Sequence, residues 1–277
     1  MIRNIIFSDP HCGHRQALLA PGTRINELEI GGSWEPVLTE ANKDLWNLYN
    51  RLLTRADDCP YNKTAILIGD MFWGAKHPSG AFDLSERTQI DVALAVLEPL
   101  YDMVDLQRVM ILSGTTAHEF EDNSPLRTLL RELQLIYPDV QTAGSHHALI
   151  DIDGYLVDAA HHGPHPGSRI WLDGNVATLY LRDLILRHLK SGKRPPDLVL
   201  RAHYHRRISV MVDIDGHEYR LIATPSMMGL NDYARQKTQS VYEITNGGFF
   251  FDVHQGSMLT PQWETRTIDL RTRDVWN

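Results

Sequence analysis

Five short apolar runs in this chain each break off, at their carboxyl end, into aspartate, histidine or glycine, and that repeated ending limits what the chain can fold into. The first is Asn4-Ile5-Ile6-Phe7-Ser8, followed by Asp9-Pro10-His11-Cys12-Gly13-His14. Thr64-Ala65-Ile66-Leu67-Ile68 runs into Gly69-Asp70, and the run over 108–112 leads to Gly114-Thr115-Thr116-Ala117-His118-Glu119. Two short strands over 148–160 end in His161-His162-Gly163, and a strand over 197–201 ends in Ala202-His203-Tyr204-His205. Apolar runs of this length, bounded by turn formers, read as buried strands. In extended backbone, residues two apart point the same way, so Asp9 and His11 are expected to converge on one point. A hard oxygen beside a borderline nitrogen is how a metal site begins, and Gly13 lets the chain turn behind them.

The segments between the runs carry helical spacing. Thr39 is placed to cap a helix with Leu45, Leu48, Tyr49 and Leu52 on its apolar stripe, and Ser85 to cap one with Ile90, Leu94, Leu97 and Tyr101. Ser124-Pro125 reads as the N-cap and first residue of a third helix, and a fourth covers 175–190 with Gly192 as its stop. Hairpins follow: Asp153-Gly154 and Asp215-Gly216 join strand pairs, and Asn246-Gly247-Gly248 is expected to turn between strands over 241–244 and 249–253. Residues 16–36 read as irregular, a length that usually marks function or mobility. Strand–helix alternation followed by hairpins predicts an α/β fold, with two mixed β-sheets packed together and flanked by helices, in a single domain over 1–277. Ligands in such folds gather in loops at the carboxyl ends of the strands.

Composition narrows the function. An apolar fraction of 43% supports a real core. A net charge of -8, with no dense Lys/Arg cluster, argues against a face that coats duplex DNA, although metal ions in a site can neutralise phosphate locally. The two cysteines, Cys12 and Cys59, offer no disulfide framework. With no signal-like N-terminus and no apolar run near membrane length, the expectation is a cytoplasmic protein without membrane association. Histidine is the informative residue: there are fourteen, several in clusters, and it serves both metal ligation and proton transfer. His77, His188, His217 and His254 read as surface histidines.

The order D-x-H, G-D, Gly-Thr-Thr-Ala-His-Glu, H-G and H-x-H resembles the calcineurin-like metallophosphoesterase family over 5–206. The Thr-Ala-His loop, the double His before Gly and the long segment after the first motif are similar to phage- and prophage-encoded members. The resemblance implies a four-layer αββα sandwich with a two-metal centre between the sheets. It implies that Asp9, His11 and His205 hold one metal, that Asp70 bridges both, and that His162 and His203 hold the second. Two positions leave choices. The family's third motif is usually Gly-Asn-His-Asp/Glu, and its Asn carbonyl binds the second metal. Here no Asn is present and two extra residues intervene, so Thr115, water or His118 would fill that place. In the fourth motif His162, next to Gly163-Pro164, matches better than His161, which would then orient the ligands from behind.

The implied function is metal-dependent hydrolysis of phosphate mono- or diesters. Two divalent cations ~3.5–4 Å apart clamp the attacking and leaving oxygens of an in-line displacement and turn a water into hydroxide at neutral pH. His118 is expected to protonate the leaving alkoxide, worth about 10²–10⁴-fold, and Glu119 either orients His118 or is an exposed loop carboxylate. Nitrogen and oxygen ligands without thiolate suit manganese first, with iron or zinc as alternatives. Trp73, Tyr204 and Tyr233 near the expected cleft admit a nucleotide or single-stranded nucleic acid as the phosphoester substrate. Two other readings compete. One is a metal-stabilised scaffold of the same fold that has lost turnover, which the missing Asn favours. The other is an amidohydrolase acting on C–N bonds, which would need more βα repeats and no late hairpins.

Overall fold

A computed structural model describes residues 1–27, 31–120, 122–166, 172, 174–229, 243–269 and 271, and the architecture is that of these residues. One sheet places β1 (Ile2–Phe7), β4 (Asn62–Ile68), β5 (Leu106–Leu112) and β6 (Gln141–Ser145) side by side and parallel. On the other side of β1 it is extended by antiparallel β12 (Glu243–His254), which also pairs with β13 (Ser257–Met258) and β14 (Gln262–Asp269). The second sheet runs in the order β10 (Ile208–Ile214), β11 (His217–Ala223), β9 (Leu198–Arg201), β8 (Tyr155–Ala160), β7 (His147–Ile152), parallel in the middle and hairpin-paired at both ends. Both sheets are therefore mixed.

Alternation along the strands builds three cores. Ile5, Phe7, Leu67 and Ile111 face Leu52 of α1 (Glu40–Asp57), Leu97 of α2 (Glu86–Tyr101) and Leu129 of α3 (Ser124–Ile136). Their neighbours Ile6, Ile66, Ile68 and Leu112 point the other way, against Val157, Ala159, Leu200 and Ile222 of the second sheet. The far face of that sheet is covered by Leu181 and Ile185 of α4 (Asn175–Lys190), packed on Val199 and Leu221. Helices, sheet, sheet, helix is the layer order that the resemblance implied. Strands buried on both faces read as unbroken apolar runs, which is why β1, β4 and β5 stood out in the sequence.

Local signals held where side chains satisfy the backbone. Thr39 and Asn42 cap α1 reciprocally: Thr39 N donates to Asn42 Oδ1 at 2.9 Å and Asn42 N to Thr39 Oγ1 at 3.2 Å. Ser85 caps α2. At α3 the start moves by one residue: Asn123, in left-handed backbone, is the N-cap and Ser124 is already helical. The expected turn at Asn246-Gly247-Gly248 is corrected, since β12 runs straight through it. Gly247 is there for close approach, because a Cβ would lie 2.1 Å from Glu264 O on β14. Residues 241 and 242, the start of the expected strand, lie outside the described residues. The segment over 16–36 contains a small hairpin, β2 (Ile25–Glu27) with β3 (Gly32–Trp34). Among the described residues no helix is long and apolar enough to cross a membrane.

Candidate metal centre

The loops after β1, β4 and β5 of the first sheet meet the loops after β8 and β9 of the second. The first two loops stay in register beyond the sheet: Asp9 N donates to Gly69 O at 3.2 Å and His11 N to Asp70 O at 3.1 Å. Asp9, His11, Asp70, His203 and His205 all have left-handed backbone, with φ of 52°, 46°, 47°, 75° and 52°. Convergence of Asp9 and His11 through extended backbone is therefore corrected; a tight left-handed loop brings them together. Such a conformation costs a non-glycine residue about 1–2 kcal/mol. Five such residues at one place are strain concentrated at a site, held by the surrounding sheets.

Among the described residues, three groups of side chains each bring potential ligand atoms within 4.8 Å of one another: Asp9–His11–His205, His11–Asp70–His118 and Asp70–His161–His203. His205 Nε2 lies 3.3 Å from Asp9 Oδ1, and His161 Nε2 lies 3.1 Å from Asp70 Oδ2 and 3.9 Å from Asp9 Oδ1. Asp9 is wholly buried with no well-aligned hydrogen bond to either carboxylate oxygen, its nearest donor being His205 Nε2, and His11 Nδ1 and His203 Nδ1 have no partner. Unpaired buried groups of this kind are costly. Divalent cations would satisfy them, and the oxygen and imidazole donors suit a transition ion. The residues present therefore fit a metal.

The position expected for His162 goes to His161 in this geometry. β8 ends at Ala160, and the first residue beyond it turns inward. His161 is buried, and its Nδ1–H donates to Ile68 O at 2.8 Å, which leaves Nε2 facing Asp70. His162 is exposed, its ring 4.5 Å from that of His203, outside the three groups.

The third motif resolves as one tight turn. His118 N and Glu119 N both donate to Thr115 O, at 2.9 and 3.0 Å, so the two extra residues are taken up and His118 returns to the site. Thr115 donates its N–H and its hydroxyl to Asp70 Oδ1, at 2.6 and 3.0 Å. It orients the Asp70 carboxylate. Gly114 must lack a side chain, because a Cβ there would sit 1.9 Å from the same oxygen. Glu119 neither orients His118 nor lies exposed: it is fully buried beneath the loop and accepts from Gly114 N at 3.0 Å. Burial and the nearby Asp70 push its carboxyl up to about 8.

Sequence reading missed the wall behind His118. Trp73 is almost fully buried, with its ring 5.0 Å from His118 and 4.3 Å from His14, so it is packing rather than an open platform for bases. His77, expected on the surface, is half-buried in this wall, 6.3 Å from the His118 ring. Its placement follows from the chain path over 73–77, which has no periodic signal. Tyr204 packs on His203 at 4.9 Å, and Tyr233 lies outside the described residues. Burial pushes the Cys12 thiol up, which accords with its not being a nucleophile.

The charges are mutually dependent. Burial alone would raise the Asp70 carboxyl, but His161 beside it holds it far below the usual carboxylate range. Burial would lower His161, but Asp70 outweighs it and raises the imidazole to about 9. Burial and His161 together lower His203 to about 4, keeping it neutral as a ligand must be. The raised His161 stabilises the metal-free fold fully below about pH 6.5, and that contribution is lost as pH rises through about 9. A cation bound there would replace that proton. The melting temperature of metal-free protein is therefore expected to fall more between pH 6.5 and 9 than that of metal-loaded protein. Parallel slopes in thermal scans would contradict this.

No family profile matches the chain, and no curated protein matches it. Among solved structures, sulfate thiohydrolase SoxB of Thermus thermophilus, in complex with glycerol, is similar at 10% identity and a TM-score of 0.39, over 97% of this chain and 56% of that one. The chain thus spans little more than half of SoxB. Vps29 of Chaetomium thermophilum is similar at 11% identity and a TM-score of 0.33, over 76% of this chain and 97% of that one. These likenesses are too distant to carry a function. What fold and site define on their own is an α/β protein of two mixed sheets with buried Asp/His groups able to hold metal ions.

Proposed function

We propose that the chain is a metal-dependent phosphoesterase of the calcineurin-like type, with His118 as general acid. The observation that carries the reading is the fully buried Asp9 carboxylate, which makes no well-aligned hydrogen bond, among three convergent Asp/His groups. Asp9, His11 and His205 would hold one cation, and Asp70, His161 and His203 the other, with Asp70 and His11 linking the groups. Bound cations would supply Lewis-acid polarisation of a phosphoryl oxygen and a more acidic attacking water. The protein's own part is orientation and proton transfer. Thr115 fixes one oxygen of Asp70, and Ile68 O fixes the tautomer of His161. His118 Nδ1–H donates to Trp73 O at 2.6 Å, so that in the doubly protonated ring Nε2–H would face the site and pass its proton to the leaving oxygen. Manganese is the first choice of metal, and a nucleotide or single-stranded nucleic acid the favoured substrate class. The likeness to phage- and prophage-encoded members belongs to this proposal and rests on the three sequence details alone.

The test is a panel of p-nitrophenyl phosphate, its bis ester, cyclic nucleotides and single-stranded DNA, run with manganese and after chelation. Hydrolysis that chelation abolishes is expected. Full metal loading with no turnover on any ester would favour the scaffold reading. Metal analysis is expected to give two ions per chain, the one at Asp70–His161–His203 lost first on dialysis because it has no Asn carbonyl. A stoichiometry of one that added manganese leaves unchanged would contradict the bridging role of Asp70.

A further inference from the structure

Gln89 stands on the first turns of α2, on the side facing the centre, and is fully buried. Its amide uses every donor and acceptor it has. Oε1 accepts from Trp73 N at 3.0 Å and Gly74 N at 2.8 Å, while Nε2 donates to Gly74 O at 3.2 Å and Asp83 O at 3.3 Å. Trp73 N is shared with Cys12 O at 3.0 Å, so the same peptide is tied to the loop after β1. The one polar group of the Trp73–Gly74 peptide that Gln89 does not hold is the Trp73 carbonyl, and that carbonyl receives the Nδ1–H of His118 at 2.6 Å.

We infer that Gln89 is a positioning residue for His118, acting through the Trp73–Gly74 backbone. It fixes the carbonyl that holds Nδ1–H of His118 and so aims Nε2, which carries the second proton in the acid form, at the leaving oxygen. A helix-borne amide with four bonds does this more rigidly than the loop could alone. The inference rests on the general-acid reading of His118 for its catalytic consequence, but the tautomer it fixes is observable without turnover.

The experiment compares wild type, Gln89→Met and Gln89→Glu; the last keeps the shape and the acceptor oxygens should the first not fold. Ring ¹⁵N shifts in metal-free protein are expected to show His118 as a single Nδ1–H tautomer in wild type and as a mixture in Gln89→Met. An unchanged tautomer in both variants overturns the inference, whatever the activity. In manganese-loaded enzyme, Gln89→Met is expected to lower kcat for an alkyl phosphoester about 10–100-fold, the usual effect of losing an orienting partner, and to lower it far less for the p-nitrophenyl ester. In a His118→Ala background the same change is expected to cost nothing more, since both act on one step. Equal losses on both esters, additive with His118→Ala, would make Gln89 merely structural. A wild type that hydrolyses no ester would sink the phosphoesterase reading, and the ring shifts would still decide the role of Gln89.

Discussion

Asp70→Ala is expected to lower turnover by at least about 10³-fold, beyond the 10²–10³ typical of losing one stabilising group. Asp70 belongs to two of the three ligand groups, so one substitution weakens both halves of the centre. The chain should still fold, because the three apolar cores lie behind the loops. Two costs remain. Thr115 N loses its acceptor, at most about 1–3 kcal/mol because this donor is only half-buried, and alanine tolerates the left-handed backbone at φ 47° less well than aspartate. Asp70→Asn keeps both the backbone preference and an acceptor for Thr115, and so should be equally inactive yet more stable. Cooperative unfolding with metal content cut in both variants is the expected pattern. Turnover surviving in either would remove Asp70 from the mechanism.

His118→Ala should behave differently. For esters with poor leaving groups the rate is expected to fall about 10²–10⁴-fold, the range of general acid catalysis. For p-nitrophenyl esters, whose leaving anion is stable unprotonated, little should change. Metal content is the second readout. His118 has ligand distance to His11 and Asp70 and shares no group with His161 and His203, and as the proposed general acid it is expected not to be a ligand. Metal content near wild type is expected. Loss of one ion would make His118 a ligand, and equal loss on both esters would remove it from proton transfer.

Much of the centre was legible because strand ends are local in sequence. Five apolar runs, each ended by Asp, His or Gly, place Asp9, His11, Asp70, His203 and His205 at the carboxyl ends of strands before any tertiary contact is known. Reciprocal caps such as Thr39 with Asn42 are local too, and so were readable. The strands β6 and β14 were not, because they are polar strands held by pairing with β5 and β12 and carry no periodicity of their own.

What the sequence determined by itself is the layer order and the inventory of candidate ligands: short buried strands demand cover on both faces, and the polar clusters that end them share one edge. Tertiary structure decided which atoms meet. It turned His161 inward and left His162 at the surface, because inward direction depends on where β8 ends and on Ile68 O as a partner from the other sheet. It spent Thr115 on Asp70 and buried Glu119 beneath the loop, choices set by the proximity of Gly114 to Asp70. It ran β12 straight through Asn246-Gly247-Gly248, because β14 approaches there too closely for a Cβ. Each of these is a contact between separate segments of the chain, set by strand pairing within the first sheet or, for His161, by the packing of the two sheets.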